Sequence, residues 1–130
     1  MAGTVTAKVE SYRDLFVWQQ AMELAVGIYN TTKYWPKEEL YGLTSHVRRA
    51  AVSIPANIAE GYGRETRASY EHFLRVAQGS LKELETHLLL AERVGTVAAQ
   101  RIAPMMEQCQ SLGKMIRSLI RALQEKDKVD

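Results

Sequence analysis

One cysteine, three prolines and eight glycines in 130 residues exclude several common kinds of protein. A lone Cys109 cannot form an intramolecular disulfide, which argues against a disulfide-stapled secreted scaffold and fits a reducing compartment. So few helix breakers disfavour a turn-rich β fold. No window approaches the ~18 consecutive apolar residues of a membrane span. The first residues lack a cationic start followed by an apolar run, so the expected location is the cytoplasm. A net charge of only +2 supplies no general basic field. Any basic surface must therefore come from how the charges are arranged.

What is present is an apolar pattern at helical spacing. Residues 1–12 show no strong period and read as a flexible N-terminal arm. Asp14 is placed to cap a first helix running to about Tyr34, its carboxylate accepting amide hydrogens of the first turn. Leu15, Trp18, Met22, Ala25 and Tyr29 form one stripe; Val17, Ala21, Leu24 and Ile28 form a second beside it. The combined face is wider than one bundle seam needs, and the excess is a candidate subunit contact. Trp35-Pro36 breaks this helix.

A second helix is expected from about Lys37 or Glu38 to Ala59. Leu40, Leu43, Val47, Ile54 and Ile58 would point inward, Pro55 would kink it, and Gly61 with Gly63 would end it. The third helix follows from Tyr70, Leu74, Ala77, Leu81, Leu84, Leu88 and Ala91, between a cap near Thr66 and Gly95. A fourth carries Ile102, Met105, Cys109, Leu112, Ile116, Leu119 and Leu123; Thr96 could cap it, or Pro104 could mark a later start. Residues 125–130 form a charged tail expected to fray. Short connections force neighbours antiparallel, so the expected fold is all-α: an antiparallel up-down-up-down four-helix bundle over 13–124. The seven-residue repeat of the last two helices favours a small left-handed crossing angle.

Residues 48–64 are the most distinctive stretch. Ala50, Ala51, Ser53, Ala56 and Ala59 permit close backbone approach, with Ile54 and Ile58 as anchors. Asn57 and Glu60 lie on that tightly packed element, where a polar side chain needs a partner. Glu60 also faces the negative end of its helix dipole, and Arg64 or Arg67 could reach it. The two read as a structural polar clamp fixing helix register.

Catalytic signatures are missing. A bundle metal pair would need Glu-x-x-His on two helices, and no glutamate here has a histidine three residues later. His46, His72 and His87 share no spacing that converges on an ion. Cys109 occupies an inward position, where a thiol serves as a small hydrophobe. No strand precedes Gly61-Tyr62-Gly63-Arg64, as a phosphate loop would require. Neither an enzyme nor a cofactor is expected.

Basic residues are the functional lead. Lys114, Arg117 and Arg121 share a face of the fourth helix, and no acidic residue interrupts 108–124. Arg48, Arg49, Arg64 and Arg67 make a second group. Cations near a helix C-terminus also stabilise its dipole, which would explain the first group without a ligand. Repeated around an oligomer, however, the stripe would neutralise several phosphates together.

Several blocks also carry a resemblance. Leu15-Phe16-Val17-Trp18-Gln19-Gln20-Ala21, Glu39-Leu40-Tyr41-Gly42-Leu43, Arg48-Arg49-Ala50-Ala51 with Ser53-Ile54, and Asn57-Ile58-Ala59-Glu60-Gly61 occur in order. Phe73-Leu74, Ala77, Gly79-Ser80-Leu81 and Glu83-Leu84-Glu85 continue them. Over about residues 12–95 the chain resembles the four-helix-bundle (S23-type) proteins encoded in bacterial 23S rRNA intervening sequences. His46 departs from the glutamine expected before the paired arginines. A related member is the accessory variability protein of diversity-generating retroelements, a pentameric barrel that binds a reverse transcriptase and nucleic acid. The resemblance implies a homopentamer, whose five chains of charge +2 would carry +10.

The expected function is a non-enzymatic oligomer that binds RNA or DNA non-specifically, or scaffolds a nucleoprotein complex. Arg48, Arg49, Arg64, Arg67, Lys114, Arg117 and Arg121 would be the phosphate partners. The alternatives are a protein–protein adaptor with no nucleic-acid role and a bundle metalloenzyme.

Overall fold

The computed structural model of the chain describes residues 8–129. It contains α1 (Phe16–Thr32), α2 (Leu43–Tyr62), α3 (Arg67–Arg93) and α4 (Ala99–Val129), with single 3₁₀ turns at Tyr12–Asp14 and Lys37–Glu39. No strand occurs among the described residues. Consecutive helices pack on each other and α1 closes on α4, while diagonal pairs stay apart. That is the up-down-up-down bundle, joined by short connections. Among the described residues, no helix is long and apolar enough to cross a membrane.

The core follows the period. Leu74, Ala77, Leu81, Leu84, Leu88 and Ala91 of α3 are all buried, as are Val17, Ala21, Leu24 and Ile28 of α1. Thr66 caps α3, its hydroxyl accepting from the Ser69 amide at 3.1 Å. Gly95 leaves the helix at φ +82°, a left-handed conformation that glycine adopts without strain. In α4, Leu119 is only half-buried and Ile120 takes the inward place before Leu123. A straight helix drifts against a strict seven-residue repeat, so the seam shifts by one position. The helix includes Pro104 and continues through 125–129.

Several ends differ from the pattern. Asp14 does not cap α1: its carboxylate accepts from the Glu10 and Ser11 amides at 2.9 and 3.1 Å, closing a box with Ser11 around the preceding 3₁₀ turn. Of the expected arm, residues 1–7 lie outside the described chain. α2 begins at Leu43 rather than near Lys37, because Gly42 sits at a non-helical φ −112°, ψ −112°. The Glu39 carboxylate lies 3.3 Å from the Leu43 amide, and Leu40 is left 45% exposed instead of inward. Helix α2 runs unbroken through Pro55 to Tyr62, so Gly61 is inside it. A Cβ at Gly61 would meet Phe73 Cβ at 3.0 Å and the Tyr70 carbonyl oxygen at 3.1 Å. That glycine admits α3; Gly63 provides the stop.

Helix α1 keeps spare apolar surface. Phe16 is 62% and Val26 53% exposed, and Met22 and Tyr29 are also open to solvent. Val52 of α2 is likewise exposed.

Cys109 is fully buried among these helices. Burial pushes its thiol up to about 12 from an ordinary 9.0, with the Glu85 charge adding and Lys82 opposing. Because the thiolate is the nucleophile, native Cys109 is expected to resist a disulfide reagent at about pH 8 and to react once guanidinium unfolds the chain. Reaction of the native thiol at the rate of the unfolded one would contradict this. Tyr70 shifts the same way, to about 12 from 10.0, through burial first and Tyr62 second. Both folded groups hold protons that the unfolded chain releases. Their contribution to stability is therefore complete below the unfolded values and is lost as pH climbs toward about 12.

Candidate nucleic-acid interface

The α4 stripe forms as its spacing dictates. Lys114, Arg117 and Arg121 are all exposed, on the face opposite Leu112, Ile116 and Leu123. None makes an ion pair with another described residue. Arg117 borders a hollow of about 250 Å³ with Gln78, Gly79, Lys82 and Gly113. Small residues on facing helices create it: a Cβ at Gly113 would touch Leu81 at 3.4 Å, and one at Gly79 would meet nothing within 4 Å. Lys82 thereby joins the stripe from α3, although it also reaches Glu85 at 3.4 Å.

The second basic group is held differently. Arg48 is half-buried and donates through Nε to the Thr32 hydroxyl at 2.8 Å, with its guanidinium 4.7 Å from the Tyr29 ring centre. It fastens α2 to the end of α1. Arg64 pairs with Glu60 at 2.8 Å and covers the Phe73 ring at 4.6 Å. Arg67 reaches Asp127 at 3.2 Å, tying the start of α3 to the end of α4. Glu71 nearby has its carboxyl raised above the ordinary 4.5 by desolvation first, then by Asp127, against an opposing Arg75. Exposed pairs of this kind contribute about 0–1 kcal/mol each, so a phosphate could compete for the arginines.

Arg49 is exposed beside a polar hollow of about 360 Å³ bordered by His46, Ser53, Glu83 and His87. His46 and His87 stack with ring centres 5.3 Å apart, a cross-helix contact that one-dimensional spacing missed. His87 Nε2 lies 3.9 Å from Glu83. No group of three or more His, Cys, Asp or Glu among the described residues is arranged to hold a metal ion.

The two clamp residues separate. Asn57 Nδ2 donates to the Ser53 carbonyl at 2.8 Å and approaches its hydroxyl at 3.0 Å; that hydroxyl lies 2.8 Å from the Ser80 hydroxyl. This chain crosses from α2 to α3. Glu60 stands apart on the surface with Arg64, the partner that its unfavourable position called for.

Comparison with known proteins agrees with this architecture. A crystal structure at 1.70 Å of a protein of unknown function, from the S23 ribosomal protein family of Bacteroides thetaiotaomicron VPI-5482, matches with TM-score 0.75 and 25% identity. The match covers 80% of this chain and 97% of that one. No curated protein matches significantly. The family model described as 23S rRNA-intervening sequence protein matches residues 13–118, and the chain belongs to that family.

Proposed function

We propose that this protein is a non-enzymatic homo-oligomer of the cytoplasm that binds RNA or DNA through its basic faces, without reading sequence. The observation that carries the reading is the row Lys114, Arg117 and Arg121, ion-paired with no other described residue and extended across the glycine-lined hollow by Lys82. Unpaired, solvated cations neutralise phosphates without first giving up a protein partner. No aromatic side chains interleave the row, so contact is to backbone charge and shape. Phe16, Met22 and Val26 on α1, with Val52 on α2, are the surface we assign to self-association, with the pentamer of the retroelement accessory proteins as the expected ring.

The same exposed apolar face favours a second reading, an adaptor that docks another protein's helix with nucleic acid irrelevant. Light scattering followed by binding to a single-stranded RNA and a DNA duplex, in salt from about 50 to 200 mM, separates the two. The nucleic-acid reading expects an oligomer whose log affinity for duplex falls against log salt with slope about −3 or steeper, from three or more phosphates. Absent binding at the lowest salt, or a flat salt series, overturns it. An oligomer that ignores both nucleic acids would favour the adaptor.

A further inference from the structure

One end of the bundle holds a cleft that none of this uses. Between the end of α1 and the approach to α4 lies a cavity of about 550 Å³, bordered by Thr31, Tyr34, Trp35, Thr96, Val97 and Arg101. Its volume is that of a small-molecule pocket. No carboxylate of a described residue borders it. Arg101 is exposed at the first turn of α4 and makes no ion pair with a described residue. There its charge adds to the positive end of the helix dipole.

Trp35 is the second, independent sign. The residue is only 7% exposed, and its buried Nε1 has no hydrogen-bond partner among the described residues. A buried donor without an acceptor carries a desolvation penalty that proteins usually avoid. Around the indole, the cleft offers further donors in the Thr31, Thr96 and Tyr34 hydroxyls and the Arg101 guanidinium. On its other side, Trp35 borders a hollow of about 110 Å³ with Lys33, Lys37 and Arg48, again without a carboxylate. The groups around Trp35 are thus rich in donors and cations, while the indole and Val97 supply an apolar wall.

We infer that this cleft binds a small organic acid, its carboxylate held by Arg101 and the neighbouring hydroxyls and accepting the Trp35 Nε1 hydrogen, with its apolar body against Val97 and the indole face. The site is independent of the α4 stripe, so it can fail or stand without the nucleic-acid reading.

The test uses the full chain labelled with ¹⁵N. It has two tryptophans, Trp18 and Trp35, so two indole N–H signals are resolved and Trp18→Phe assigns them. Titration with benzoate is expected to move the Trp35 signal saturably, with a midpoint below about 10 mM, and to leave Trp18 unmoved. Arg101→Gln, at an exposed and unpaired position, should weaken binding at least about fivefold while the rest of the spectrum is retained. Arg75→Gln, on a remote face, should bind as the parent does. A saturable response to inorganic phosphate with benzoate inert overturns the organic-acid assignment. So does an absent Trp35 response, or equal weakening by the Arg101 and Arg75 variants.

Discussion

Reversing the α4 row, in K114E/R117E/R121E, is expected to weaken binding to duplex DNA by roughly a few hundredfold at about 0.1 M salt. Each phosphate contact adds about 0.9 to the salt slope, which is worth nearly tenfold at that concentration relative to 1 M. Removing three therefore flattens the slope by about 3 units as well as lowering affinity. All three side chains are exposed, so the melting curve should barely move. Neutral glutamine substitutions at the same positions give a check free of introduced repulsion and should flatten the slope equally. Unchanged affinity in both variants would remove the row from the interface. Arg64→Gln is a weaker lever, because that arginine already serves Glu60.

Leu84→Ala should cost about 3–4 kcal/mol, a large fraction of what a domain of this size possesses. Leu84 is completely buried on α3, which packs against both α2 and α4. Truncation removes its transfer energy and leaves a void that three helices can only partly collapse. Leu89, one residue beyond the next turn, is 44% exposed, and Leu89→Ala should change stability by less than about 1 kcal/mol. Urea unfolding of the two variants measures the contrast directly. Equal losses would mean that the periodicity does not mark the core.

Much of this was legible because it is local. Thr66, the Leu74-to-Ala91 spacing and Gly95 each act within a turn or two, and the structure keeps all of them. The start of α2 was not, since Lys37 to Leu40 are acceptable helix residues and only the backbone of Gly42 reveals the break. Gly61 resembled a stop signal; its purpose depends on Tyr70 and Phe73 arriving from the next helix. The basic residues divide on the same principle. Exposure of Lys114, Arg117 and Arg121 follows from helical phase alone. Arg48 sits among equally basic neighbours in the sequence, yet Thr32 and Tyr29 on another helix hold it. Pairings between helices carry no periodic signature, which is why Lys82 beside Arg117 and His46 against His87 emerged only in three dimensions.

The bond between Arg67 and Asp127 has a practical corollary. With α1 rising and α4 descending, the first and last described segments emerge from one pole of the molecule, far from Trp35. A dye attached at Glu10 or Lys126, both exposed in those segments, would sit at that pole and leave the mouth of the Trp35 cleft unobstructed for titration.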